Sequence, residues 1–187
     1  MEIAWEIDYI SFPHAIRYCK GCKRNMEYKS SGLFRVNAQG RGLDIWLIYK
    51  CEACKDTWNS RIFSRVNPEK LDIELLEKFH ESDSETATRY AMDINILKRN
   101  GAEVILPDVK VVGPDIPKYN DVHIEIKNRY DIPQKLSKVI REKTGISNKK
   151  YTELVNNGFI KLKEGKDPLK YKITKSCIVY VDGTVFK

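Results

Sequence analysis

The chain has 187 residues, 42% of them hydrophobic and 32% charged, a composition that suits a soluble globular protein with one moderate core or two small ones. No stretch approaches the length of a membrane span, and the acidic start, residues 1–8, lacks the apolar run of a signal peptide, so the expectation is a cytoplasmic protein with no membrane partner. The net charge of +7 is segregated: residues 129–187 hold 14 Lys+Arg against 6 Asp+Glu, residues 17–65 hold 11 against 4, and residues 66–128 hold 8 against 13, the pattern of basic, polyanion-binding modules around an acidic one.

The first chemical signal along the chain is a matched pair of motifs, Cys19-Lys20-Gly21-Cys22 and Cys51-Glu52-Ala53-Cys54. Two thiolates two residues apart can grip one ion from a tight turn, and a second such turn completes four-sulfur tetrahedral coordination. Cys19, Cys22, Cys51 and Cys54 are therefore expected to hold a structural Zn2+, the ion that suits a closed soft-ligand site. The alternatives are disulfides or a thioredoxin-like redox motif, and a reducing cytoplasm favours metal over disulfide. Cys177 is left over and reads as a small apolar strand residue.

Between the cysteine pairs, residues 33–37 and 43–50 read as strands joined by the glycine-bearing loop Ala38-Gln39-Gly40-Arg41-Gly42. Leu43, Ile45, Leu47 and Tyr49 alternate with Asp44, Trp46, Ile48 and Lys50, so both faces are largely apolar and the strand is expected to be central. Residues 57–63 add a third strand. Strand, turn, hairpin and turn around one ion make a zinc ribbon.

The middle segment reads as two amphipathic helices. Leu71, Leu75, Leu76 and Phe79 mark the first; Ser82 or Asp83 caps a second carrying Ala87, Tyr90, Ala91, Ile94 and Leu97, stopped by Asn100-Gly101. Pro107, Pro114 and Pro117 punctuate a connection, and Val122, Ile124 and Ile126 alternate with polar residues as an exposed edge strand would. His14, His80 and His123 are scattered and read as surface or packing residues, and Glu85 and Asp93 as helical surface carboxylates, so no catalytic residue is expected.

In the C-terminal segment, Asp131 and Pro133 open a helix with Leu136, Val139 and Ile140 on one face, closed by Gly145; Ser147 caps a second with Tyr151, Leu154 and Val155 inside, ended by Gly158. Strands follow at 159–163 and 171–181. Lys149 and Lys150 sit in the first turn of the second helix, where the helix dipole disfavours positive charge by a few tenths to about 1 kcal/mol and a phosphate would reverse that penalty.

Two resemblances attach to these residues. Lys135-Leu136-Ser137-Lys138-Val139-Ile140, Thr144-Gly145-Ile146-Ser147-Asn148-Lys149 and Leu154-Val155-Asn156-Asn157-Gly158-Phe159-Ile160 resemble the alpha-L RNA-binding motif named from the fourth small-subunit ribosomal protein. In that motif the positions matching Lys135, Ser147, Asn148 and Lys149 face RNA. The sequence departs from it in Lys135 for Arg, Ser137 for Asp and Asn148 for Arg. Phe34-Arg35-Val36-Asn37-Ala38, Leu43-Asp44-Ile45-Trp46-Leu47-Ile48-Tyr49-Lys50-Cys51 and Thr57-Trp58-Asn59, with Arg89-Tyr90-Ala91 downstream, resemble an uncharacterised bacterial family catalogued as domain of unknown function 1062. That resemblance implies that cysteine ribbon and basic tail occur together as one design, and implies no reaction.

The expected fold class is α+β: an N-terminal zinc-ribbon β-hairpin module over 1–66, two helices plus an extended connection over 67–128, and an alpha-L-like helix pair with a small sheet over 129–187. The expected function is non-catalytic binding of structured RNA, ribosomal or transfer RNA, through Lys135, Lys138, Arg141, Ser147, Asn148, Lys149, Lys150, Lys161 and Lys163. The alternatives are a protein-interaction adaptor docking a partner on Trp46 and Trp58 of the ribbon, and an RNA-modifying enzyme, for which no nucleotide-binding glycine loop is found and no small-molecule substrate is indicated.

Overall fold

A computed structural model describes residues 1–40, 42–119 and 121–186. The chain is α+β and divides into two compact units, one formed by Met1–Ile10 with Asp108–Lys187 and the other by Ser11–Pro107. These boundaries cut the chain at other places than the expected 1–66, 67–128 and 129–187. Among the described residues, no helix is long and apolar enough to cross a membrane.

The unit of residues 11–107 is built on a five-stranded antiparallel sheet. Its strands are β2 (His14–Cys19), β3 (Arg24–Gln39), β4 (Gly42–Cys51), β5 (Thr57–Val66) and β6 (Glu103–Ile105), in the order β5-β4-β3-β2-β6. β4 is interior, as its two apolar faces require, with Ile45 and Leu47 fully buried. β3 is far longer than the expected 33–37 because its first half, with Met26 and Tyr28 among polar residues, pairs with β2 rather than following its own alternation. Arg41 of the expected hairpin loop lies outside the described residues.

Three helices pack with this sheet, α1 (Ile73–Glu81), α2 (Ser84–Ala91) and α3 (Ile94–Arg99). The side chains of Asp72, Asp83 and Asp93 each accept a hydrogen bond from a first-turn amide of the helix that follows. Asp93 is why the expected second helix becomes two: a carboxylate that captures the Asn95 amide starts a new helix instead of continuing the old one. Phe79 of α1 sits at the centre of an aromatic cluster, 4.8 Å from Phe34 of β3 and 5.3 Å from Tyr90 of α2 between ring centroids.

The other unit has a five-stranded mixed sheet in the order β10-β12-β8-β1-β7, from β1 (Glu2–Tyr9), β7 (Val109–Val112), β8 (Val122–Asn128), β10 (Ile160–Leu162) and β12 (Ser176–Val181). β8 is therefore central and not the expected exposed edge: it pairs parallel with β1 and antiparallel with β12, and Val122, Ile124 and Ile126 are fully buried. Its alternation reflects one face packed in the core and one face open. The core face meets α4 (Leu136–Thr144) and α5 (Asn148–Asn156), burying Leu136, Val139, Ile140, Tyr151 and Leu154 against Trp5, Ile126 and Val179. Two-residue strands β9 (Gln134–Lys135) and β11 (Lys172–Ile173) pair beside α4.

β1 is among the elements that sequence reading passed over. Trp5 and Ile7 fill the core, and the Trp5 indole N–H donates to the Pro114 carbonyl at 2.9 Å. Gly113 makes this approach possible: its φ is +145°, and a Cβ there would stand 2.6 Å from both the Ala4 carbonyl oxygen and Trp5 Cδ1. Gly113→Ala should accordingly lower stability by roughly 1–3 kcal/mol, read as a lower urea midpoint with unchanged slope.

Candidate metal centre

Each Cys-x-x-Cys motif is the turn of a hairpin. Cys19 ends β2 and Cys22 lies in the turn to β3; Cys51 ends β4 and Cys54 lies in the turn to β5. The two turns share one backbone shape. In both, the residue after the second cysteine is a lysine in the left-handed region, Lys23 at φ 54° and Lys55 at φ 64°. The Cys51–Cys54 turn is closed locally, Lys55 N–H donating to the Cys51 carbonyl at 3.0 Å and Cys51 N–H to the Asp56 carbonyl at 2.8 Å. Because β3 lies between β2 and β4 in one sheet, the two turns meet at one sheet end.

That meeting brings Cys19, Cys22, Cys51 and Cys54 together with all four sulfurs within 4.8 Å of one another. Sγ of Cys19 lies 3.4 Å from that of Cys54, and Sγ of Cys22 lies 3.9 Å from that of Cys51. Sulfurs held about 2.3 Å from a central ion at tetrahedral corners stand about 3.8 Å apart, so the cluster has the dimensions and donor set of a four-thiolate metal site. All four are free thiols, none in a disulfide. Gly21 belongs to the same construction: a Cβ there would lie 3.1 Å from the Cys54 sulfur.

The sulfurs are electrostatically unequal. The Tyr28 hydroxyl, hydrogen-bonded to Cys19 and helped by the Cys22 amide, lowers the Cys19 thiol to about 6. Cys22 is pushed up to about 12, first by its hydrogen bond with Cys54 and then by burial. For Cys54 the Asp56 amide favours the thiolate, but hydrogen bonding with Cys19 and burial leave it raised. Tyr28 is the site residue that sequence reasoning missed. It is buried, stands opposite Cys51 in the β3–β4 register and packs edge-on against Trp58 at 6.4 Å. Its only sequence signal is position, in a strand half whose pattern does not announce a strand.

Trp58 is half-buried in this core, tilted at 47° against Tyr49 with centroids 5.4 Å apart and covered by the Arg17 guanidinium at 4.3 Å. Trp46 is also half-buried.

The nucleic-acid candidates all lie in the other unit. Ser147 caps α5, its hydroxyl accepting from the Lys150 amide at 3.1 Å, and it brings Asn148 and Lys149 to the same helix start, all three exposed. Lys150 is partly engaged, its ammonium 3.1 Å from Glu153. Lys135 and Lys138 are exposed, whereas Arg141 is half-buried with an Nε that has no hydrogen-bond partner among the described residues. Lys161 and Lys163 are not on this surface. Ile160 and Leu162 point into the core beneath the helices, so the two lysines face the opposite, open side of the sheet.

The chain belongs to the family described as "Protein of unknown function (DUF1062)", which it matches over residues 36–166. No curated protein and no solved structure matches the chain.

Two outcomes test the centre. Tyr28→Phe should weaken metal binding about 10–100-fold, read by competition with a chromophoric chelator, while leaving the stoichiometry unchanged. With Cys19 lowered to about 6 and Cys22 and Cys54 raised, the metal-free protein at neutral pH should hold Cys19 mostly as thiolate and Cys22 and Cys54 as thiols. Metal binding should therefore displace protons from Cys22 and Cys54 but few from Cys19. As pH falls through about 6, Cys19 takes up its proton and affinity should drop by about a further tenfold per pH unit. Calorimetry in buffers of different ionisation enthalpy counts the protons.

Proposed function

We propose that the protein is a zinc-stapled RNA-binding protein in which the cysteine-bearing unit is held by a structural Zn2+ and the basic unit contacts structured RNA. Zinc is the choice among ions because four thiolates leave no open position and zinc accepts that closed tetrahedral geometry without redox chemistry. Cys19, Cys22, Cys51 and Cys54 would hold it, joining the β2–β3 and β4–β5 turns.

The observation that carries the RNA reading is that Lys135, Lys138, Lys149, Lys161 and Lys163 are exposed and make no ion pair among the described residues, in a segment of net charge +8. Unpaired surface ammonium groups repel one another, and a polyanion that releases counterions on binding is the partner that gains from them. The alpha-L reading is supported by the arrangement of a helix pair followed by strands, the second helix capped by Ser147 with Asn148 and Lys149 at its start. Phosphate contacts would dominate affinity, and recognition would follow shape more than sequence.

The protein purified with its metal at low salt should retain an RNA class that high salt releases, and elemental analysis should find zinc at one equivalent. Lys149→Glu combined with Lys150→Glu should lower RNA affinity and reduce the slope of log affinity against log salt by roughly 1–2, with unchanged circular dichroism. Unchanged RNA binding in the double variant would remove the helix pair from the contact surface.

A further inference from the structure

The open face of the β10-β12-β8-β1-β7 sheet carries a groove of about 510 Å³ lined by Ala4, His123, Glu125, Lys163, Ile178 and Tyr180 among others. Strand register explains its layout. Lys161 stands opposite Tyr180, Tyr180 opposite His123, and His123 opposite Glu2, so one row crosses four strands as ammonium, phenol, imidazole and carboxylate. The neighbouring row sets Ile178 opposite Glu125 and Glu125 opposite Ala4, with Lys163 N–H bonded to the Ile178 carbonyl. Ile178 therefore lies between the Lys163 ammonium at the β10 edge and the Glu125 carboxylate on β8, with Ala4 beyond Glu125 and the Tyr180–His123 pair alongside.

The polar groups of the groove are not satisfied by one another. His123 Nδ1 lies 3.8 Å from Glu2 Oε1, too far for a hydrogen bond. Lys127 lies 3.4 Å from one Glu125 oxygen, a contact between two exposed side chains that a ligand can displace, and the other oxygen has no hydrogen-bond partner among the described residues. Lys163 makes no ion pair among the described residues. The His123 and Tyr180 rings meet edge to face at 4.6 Å and 61°, an arrangement that leaves a ring face for a planar guest.

We propose that this groove binds one unstacked nucleotide, with the base on Tyr180 and His123, its donor edge on Glu125 and its phosphate on Lys163. A nucleotide has the charge layout that the groove complements, a hydrogen-bond-donating edge at one end and an anion at the other. Sheet-borne aromatics flanked by lysines are a physical platform for a single strand, since every base has a face to stack. The carboxylate sets the preference among bases. Guanine offers two adjacent N–H donors that match the two oxygens of a carboxylate, adenine and cytosine offer one amino group, and uracil places a carbonyl on each side of its single N–H. The order of affinity is therefore guanine first and uracil last.

This site deepens the RNA-binding reading and rests on it for the nucleotide's source; it adds His123, Glu125 and Tyr180, none of which the helix-pair surface includes. The test uses the full metal-loaded chain with two sets of probes, the four free nucleoside 5′-monophosphates and a uridine oligonucleotide with and without one central guanosine. The guanosine-bearing strand should bind about tenfold more tightly than the uridine strand, and Tyr180→Leu should erase about tenfold of that affinity. Glu125→Gln, an exposed isosteric change that leaves the core intact, should abolish the preference for guanosine while sparing uridine binding. Tighter binding of the strand than of free guanosine monophosphate identifies RNA as the source; equal binding identifies the free nucleotide. The groove assignment is overturned if neither variant alters base preference or affinity, and Lys149→Glu with Lys150→Glu still weakening RNA binding would then leave the helix-pair reading standing alone. Loss of the groove's preference for guanosine therefore fails separately from loss of RNA binding as a whole.

Discussion

Four sulfurs within 4.8 Å of one another are tolerated as thiolates only when a cation lies among them, and the unit of residues 11–107 is arranged around that constraint. The β2–β3 and β4–β5 turns must reach the same sheet end. β3 must lie between β2 and β4, and Gly21 must give the Cys54 sulfur room. The Tyr28 hydroxyl beside Cys19 lowers that thiol, while Cys22 and Cys54 are raised. The hydrophobic cluster of Phe34, Phe79 and Tyr90 then packs the remainder of the same sheet with helices. The cysteine cluster and the apolar core thus occupy different places on one sheet, and a metal bound at the cluster would add to a core that is modest for so small a unit.

The other unit solves a different problem. Its sheet has one face covered by α4 and α5 and one face open, so its charged residues are sorted by strand alternation onto two surfaces. Ser147, Asn148 and Lys149 gather at the start of α5, where helix amides add to the positive potential. Lys161 and Lys163 are turned the other way by the burial of Ile160 and Leu162. What reads in one dimension as a single basic tail is two basic surfaces in three, one on the helix layer and one bordering the groove that holds His123 and Tyr180.

The elements that were legible in the sequence are those whose signal is local. The Cys-x-x-Cys spacing announced the ligand set, the doubly apolar alternation of β4 announced a central strand, and Ser147 and Gly145 marked the helix boundaries that are observed. Asp93 was legible too, but as a surface acid; its role as a helix cap depends on which amide its carboxylate captures. β2 and the first half of β3 were not legible, because Tyr18, Met26 and Tyr28 among charged residues carry no clear period until they are paired. Val122, Ile124 and Ile126 alternate as an edge strand or a one-face-buried central strand would, and only their neighbours distinguish the two.

The sequence by itself determined the α+β class, the four cysteines as one cluster, the Ser147 cap of α5 and the concentration of positive charge toward the C-terminus. Each follows from spacing within a few turns or strands, where covalent geometry and side-chain period leave little choice. Tertiary structure alone decided that β1 joins the C-terminal half, that Tyr28 governs Cys19, and that Lys163, Glu125 and Tyr180 border one groove. The reason is that parallel pairing of β1 with β8 brings together residues far apart in the chain. Such pairing is selected by burial of Trp5 and Ile126 in a shared core, a free energy that no local window of sequence contains.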